Sequence, residues 1–307
     1  METENRLVLI DGHAILHRAF HALPPLTNSR GEQSGAVFGF CSMLLRIVQD
    51  LKPKYLAVTF DLPAPTFRQK LYSDYQSQRP QMADELSSQI GTLQQVLQEM
   101  EIPIFEMAGF EADDLIGTLS KKVKNQVEVI IVTGDRDMLQ LVNNHVKLLA
   151  PVKGITQMIL YDESQVKEKY GLKPKQWVDF KALVGDPSDN YPGVSGIGPK
   201  TACDLLQKYE SIENLYKNLD KLPAGQAKIL SRDEKQVEMA KKLAEIVCNV
   251  EVKFNLEDCR LKPFDRPEVI GLFTRLEFKS LIGRLKGEVL PREKLKKANE
   301  DNQLKLI

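Results

Sequence analysis

Cysteine is scarce in this chain. The 307 residues hold four (Cys41, Cys203, Cys248 and Cys259), with no CxxC pair among them. That spacing indicates neither a zinc site nor a disulfide framework. No apolar run approaches the length of a membrane span, and the start METENRLVLIDG lacks the basic-then-apolar layout of a signal peptide. A cytoplasmic protein with no membrane partner is expected. There is one tryptophan, Trp177, expected as a core anchor on a helix. The four histidines form no evident ligand set: His13, His17 and His21 share the segment after the first apolar run, where ordinary polar or packing roles are expected.

Net charge is also absent, with 42 basic against 42 acidic residues. The balance is uneven along the chain. Residues 191–307 carry 22 Lys and Arg against 18 Asp and Glu, leaving 20 against 24 for residues 1–190. An acidic front and a basic back suit a metal site followed by a grip on a phosphate backbone, although solvated faces explain so small a tilt equally well.

What is present is an alternation of strands and helices. Arg6–Ile10, Tyr55–Phe60 and Glu128–Val132 read as strands rich in β-branched residues, with Lys147–Ala150 a weaker candidate. Between them, Ala36–Leu51, Ala83–Met100 and Ala112–Lys124 place apolar residues at helical spacing. An α/β fold with a mostly parallel sheet follows. After about residue 160 helices dominate: Glu163–Tyr170, Lys175–Val184, Pro199–Lys208, Ile212–Leu219 and Asp233–Ile246. No repeat at a solenoid period is visible.

The carboxylates carry the functional argument. Asp11 follows the first strand and Asp61 the second, while Asp135 and Asp137 lie in TGDRD just past the third. In an open parallel sheet the carboxyl ends of strands share one edge, where ligands bind. One such Asp is unremarkable as a loop or N-cap residue, whereas three strands delivering Asp to one rim are harder to dismiss. Glu111, Asp113 and Asp114 in FEADDLIG join them, though acids at a helix start also complement its dipole. Asp186 and Asp189 sit in the Gly- and Pro-stiffened turn GDPSDNYPGV. So many acids repel unless cations neutralise them. All-oxygen donors favour two or more Mg²⁺ or Mn²⁺ ions over zinc. Two such ions about 4 Å apart would stabilise the attacking and leaving oxygens of phosphodiester hydrolysis.

A second motif, GVSGIGPKTACDLL over 193–206, sets Gly193, Gly196 and Gly198 before a helix starting at Pro199. Glycine-rich backbone at a helix start offers N–H groups to an anion, and Lys200 adds charge. It reads as a helix–hairpin–helix gripping DNA phosphates, with a plain connector between core helices as the alternative.

Together these residues resemble the 5′-nuclease or flap-endonuclease family, and within it the N-terminal nuclease domain of bacterial DNA polymerase I. The likeness runs from about residue 6 to about residue 285 with its motifs in order. It implies a PIN-like nuclease core at 1–172 with a helical arch at about 62–90. A helix–three-turn–helix DNA-binding region would follow at 173–290, then a flexible tail at 291–307. By position, Asp11, Asp61, Glu111, Asp113 and Asp135 match the inner metal shell. Asp114, Asp137, Asp186 and Asp189 match second-site or outer-shell ligands. Arg18 and Arg68 match basic residues beside the scissile phosphate, and Arg79 lies in the arch. Tyr72 and Tyr75 are candidates to stack on bases there or to pack the arch. Thr201 joins Lys200 at the hairpin, where K⁺ is a further candidate ion.

One departure stands out. The family's arch carries Tyr-Lys-x-x-Arg, and its Lys aids catalysis at the phosphate; here Gln76 replaces that Lys in Tyr75-Gln76-Ser77-Gln78-Arg79. Glutamine donates a hydrogen bond but supplies no charge. The resemblance therefore implies a monomeric enzyme cutting DNA at 5′ ends and flaps in replication and repair, slower or retuned unless Lys70 or Arg79 compensates. Gln303–Ile307 resembles the short peptide by which bacterial replication proteins dock on a sliding clamp. A free-standing nuclease and a piece of a longer polymerase are both open. Two other readings remain: a PIN-type ribonuclease, which would lack the arch and hairpin, and a catalytically idle module for branched DNA.

Overall fold

The computed structural model describes residues 4–154 and 157–286; the clamp-like peptide Gln303–Ile307 and the tail at 291–307 lie outside them. The first region is built on six strands: β1 (Glu4–Asp11), β2 (Pro53–Thr59), β3 (Ile104–Phe105), β4 (Glu128–Val132), β5 (Val146–Lys153) and β6 (Gln157–Tyr161). They are ordered β3-β2-β1-β4-β5-β6. Every pairing is parallel except β5 with β6. The chain steps from β1 to β2 on one side and resumes at β4 on the other. The carboxyl ends of β1 and β4 therefore flank the switch point where such sheets hold ligands.

The sheet is apolar on both faces, as its β-branched runs require. Val8, Ile10, Leu56, Val58, Ile130 and Val132 enter one buried cluster. Their alternating neighbours Leu7, Leu9, Tyr55, Ala57, Val129 and Ile131 enter another. Period-two alternation thus fills two cores from the same three strands. Helices α1 (Gly12–Ala22), α2 (Gly35–Leu51), α3 (Phe67–Leu71), α4 (Asp84–Glu99), α5 (Ala112–Lys122) and α6 (Glu163–Tyr170) complete this region.

The next segment is helical: α7 (Trp177–Val184), α8 (Pro199–Tyr209), α9 (Ile212–Tyr216), α10 (Ala224–Arg232) and α11 (Glu234–Ala244). These share a third cluster containing Leu183, Val194, Ile197, Leu206, Leu230 and Val237. Between α7 and α8 lies the two-residue hairpin β7 (Gly185–Asp186) and β8 (Tyr191–Pro192). Trp177 anchors α7 as expected: it is buried, with the rings of Tyr170 and Phe180 at 4.9 and 5.4 Å.

Two features depart from the sequence expectations. The stretch at 173–290 is not one spatial unit. Beyond α11 the chain turns back, and α12 (Pro267–Arg275), α13 (Lys279–Leu285) and the Phe278 N-cap between them place Val269, Phe273, Phe278 and Leu281 in the same core as β1 and α2. The arch at 62–90 is also only partly helical. The short α3 gives way to turns over 73–79 and irregular chain to Ala83 before α4 begins. Arg79 and Pro80, Gln81 and Met82 are exposed, so nothing there buries an apolar helical face. No helix among the described residues is long and apolar enough to cross a membrane.

Candidate metal centre and DNA-facing turn

Asp11 ends β1 and caps α1. One carboxylate oxygen accepts from Ala14 N (3.0 Å), and the other accepts from the Thr133 hydroxyl just past β4 (2.8 Å). That bond ties the two strand ends at the switch point. Asp61, beyond β2, accepts from Ala112 N at 2.6 Å, so it holds the start of α5 where Glu111, Asp113 and Asp114 lie. Its own N–H donates to His13 Nδ1 at 3.1 Å. Burial lowers the pKa of His13, outweighing Asp61 and Glu106, and its Nδ1 accepts here.

Burial and mutual repulsion work against ionisation on this rim. Asp11 is raised to about 6, first by burial and then by Asp61, against its bonds from Ala14 and Thr133. Glu111 is raised to about 7 by burial, with Arg68 opposing. Asp113 is pushed well up by burial, and then by Asp135, Asp11, Asp61 and Glu111. Asp135 is raised by burial as well. Acids whose pKa values rise together have too little positive charge among them, and a divalent cation would supply it.

Asp137, Asp186 and Asp189 come closer still. Among the described residues they form the one group of three or more possible ligands whose donor atoms all lie within 4.8 Å of one another. A protein cation already sits there: Lys181 on α7 bridges Asp137 at 2.7 Å and Asp186. Burial pushes Asp137 up to about 7, with Asp135 adding to the effect. Asp186 goes the other way: burial opposes it, but Lys181 and Ser188 hold its pKa below the ordinary value. Nothing in the sequence marked Lys181, an ordinary helical lysine five residues before Asp186.

Two expected site residues are taken up by each other. Asp114 is fully buried, and all four of its lone-pair positions are taken. It accepts from Arg68 on both oxygens (2.8 Å each), from Val247 N (2.9 Å) and from Glu111 N (3.0 Å). No position is left for direct contact with an ion, so of the two expected roles only the outer-shell one is open to it: it holds the backbone of Glu111. Arg68 is equally committed, with Nε donating to Leu243 O (2.9 Å), a terminal nitrogen to Glu245 O (2.7 Å), and the other facing Glu111 at 3.3 Å. All five of its donors are accounted for, so it fastens the start of α5 to the end of α11 instead of facing a phosphate.

The arch segment docks on the hairpin turn. Tyr75 is 3% exposed and stacked on Tyr191, with its hydroxyl 3.3 Å from both Glu111 and Asp189. It packs the arch; Tyr72 is half-buried against the same helical core. Gln76 adopts a left-handed φ of 57°. Its N–H donates to Asp189 O (2.9 Å), and its side chain donates to the Asp189 carboxylate (3.2 Å), which Arg79 also reaches at 2.6 Å. Arg18 instead donates to Gly154 O (3.1 Å) in the β5–β6 connection.

In the second motif, Gly198 is the N-cap of α8 and Pro199 opens the helix, as its sequence predicts. Lys200 is exposed and Thr201 half-buried. Gly196 has φ +90°, which side chains resist. Gly193 has a packing reason instead: a Cβ there would lie 2.3 Å from Gly185 N across the hairpin.

The chain matches the 5′-3′ exonuclease N-terminal resolvase-like domain over residues 6–171 and the 5′-3′ exonuclease C-terminal SAM fold over residues 172–267. It belongs to the 5′-3′ exonuclease family. A 5′-3′ exonuclease of Aquifex aeolicus is 37% identical over 277 residues, 90% of this chain and 93% of that one. DNA polymerase I of Caldicellulosiruptor bescii is 42% identical over 283 residues, 91% of this chain. The chain spans about a third of the length of such polymerase relatives, 33% in that case. The fold is also that of T5 5′-exonuclease, solved with zinc bound, at a TM-score of 0.66 and 20% identity, covering 79% of this chain and 90% of that one.

Proposed function

We propose that this nuclease hydrolyses DNA phosphodiesters at 5′ ends and flaps, with two or more Mg²⁺ or Mn²⁺ ions held by the acid rim. The observation that carries the reading is the gathering of these carboxylates at the sheet switch point, with Asp11 tied to Thr133, Asp61 to the start of α5, and the donor atoms of Asp137, Asp186 and Asp189 within 4.8 Å of one another. Burial raising the pKa of Asp11, Asp113 and Asp135 supports it. Asp11, Asp61, Glu111, Asp113 and Asp135 would hold one ion, and Asp137, Asp186 and Asp189 another. Bound there, the ions would supply the charge that lowers the barrier at the attacking and leaving oxygens. All-oxygen donors suit a hard cation.

The protein's own groups would handle the rest. Gln76 and Arg79 hang over Asp189, so a phosphate entering there meets one charged and one neutral donor. Gly196, Gly198, Lys200 and Thr201 present the open start of α8 to a duplex backbone, with K⁺ as a candidate ion at that turn. The T5 D15 flap endonuclease, solved as a pseudo-enzyme–product complex with DNA and metal ions, and the Rad2 catalytic core, solved with DNA substrate, share this fold. They support a DNA substrate. Action as a monomer, a place in replication and repair, and docking of Gln303–Ile307 on a sliding clamp belong to the same reading. Deleting residues 303–307 should weaken clamp binding; a full chain that never binds a clamp removes that partner.

A titration of cutting rate against Mg²⁺ tests the two-ion arrangement. The rate should rise with a slope of about two at low metal, falling to about one in Asp186→Asn. A first-order rise in both proteins would leave a single ion doing the chemistry.

A further inference from the structure

Helix α1 runs from Gly12 to Ala22, and residues four apart along it share a face. His17 and His21 are one turn apart on its surface and meet there. Their ring centroids are 4.4 Å apart with planes at 59°, and the two Nε2 atoms lie 3.3 Å from each other. Each neutral imidazole has one N–H and one bare nitrogen, so the contact is one N–H···N hydrogen bond whose direction follows the tautomers.

The same spacing suits a second partner. Two imidazole nitrogens bound to one zinc ion at about 2.0–2.1 Å, at the tetrahedral angle, lie about 3.3 Å apart. An ion can replace the shared proton if the rings pivot about their outer torsions while the helix stays in place. We infer that His17 and His21 form a site for a divalent transition ion with a preference for nitrogen donors, such as Zn²⁺, Ni²⁺ or Cu²⁺.

Three features of the surroundings favour this. Partial burial, and then His21, lower the pKa of His17, which favours the neutral form that metals bind. His21 lies in the last turn of α1, whose unpaired carbonyls attract a cation. Both residues are exposed, so water can fill the positions that two protein ligands leave open. The donor chemistry separates this site from the acid rim: imidazole suits zinc, nickel and copper, whereas carboxylates suit magnesium and manganese.

The test adds Cu²⁺ to the full chain in excess Mg²⁺ and follows it by electron paramagnetic resonance and by calorimetry. One Cu²⁺ per chain should resist Mg²⁺ and show splitting from two imidazole nitrogens. His17→Ala and His21→Ala should each weaken it by at least about tenfold, since loss of a mere supporting partner already costs that much. Asp137→Asn should leave it unchanged. Copper displaced by Mg²⁺, a spectrum without nitrogen splitting, or undiminished binding in both histidine variants would overturn the site. The measurement reads bound metal and not cutting, so its outcome is independent of the nuclease assays.

Discussion

Arg68 and Asp114 form a buried bidentate pair, with both N···O distances at 2.8 Å, that locks the start of α5 to the end of α11. Removing one partner strands the other charge in a dry setting, where such losses cost about 3–5 kcal/mol. Arg68→Lys and Asp114→Ala should therefore shift the denaturant midpoint strongly. At fixed salt, the DNA affinity of whatever remains folded should hold. An unmoved midpoint together with weakened DNA binding in Arg68→Lys would return Arg68 to the phosphate.

Gln76 stands where the family resemblance implies a lysine, and its amide rests on the Asp189 carboxylate. A lysine there would bring a second positive charge beside Arg79 at the arch base. Gln76→Lys should raise the cutting rate by up to about a hundredfold, the low end of what one preorganised donor contributes. It is read as single-turnover rate on a flap. An unchanged rate would mean that Arg79 already fills the role.

Without metal, the rim should make the protein less stable as pH rises. Asp11 is raised from 3.8 to about 6, Glu111 from 4.5 to about 7 and Asp137 from 3.8 to about 7. The folded state binds these protons more tightly than the unfolded chain does. Their stabilising contribution is complete below the ordinary values and is lost as pH climbs through the raised ones. Asp186, held low, acts the other way and only in more acid solution. In EDTA the melting temperature should rise from about pH 8 to about pH 5.5, and saturating Mg²⁺ should flatten that slope. A slope that metal leaves untouched would detach these acids from ion binding.

Asp135→Ala should cut the rate by at least about a hundredfold in Mg²⁺ while flap DNA stays bound, because only a ligand of the reacting ions is lost. Rate and gel-shift affinity measured on one substrate separate the two effects. Retained cutting would remove Asp135 from the centre.

Much of this was legible in the chain, and the parts that were not share a cause. β1, β2 and β4 announced themselves as β-branched runs buried on both faces, and each delivered its acid to the shared edge. β3, only Ile104–Phe105, is too short to carry a period, and β6 pairs antiparallel at an edge. In FEADD the three acids look interchangeable, yet only packing against Arg68 and Val247 turns Asp114 inward. Lys181 and the return of α12 and α13 likewise depend on contacts far along the chain. The pairing of His17 with His21 depends on both lying in one helix and on the side-chain rotamers that bring the rings together, which composition alone does not set.

The most direct test is cleavage of a 5′-labelled flap duplex in Mg²⁺, in Mn²⁺ and in EDTA, beside a single-stranded RNA. Cutting near the flap junction with either metal, silence in EDTA and intact RNA are the predicted result. A flap that is bound yet left whole in both metals, or RNA cut as readily as the flap, would contradict it.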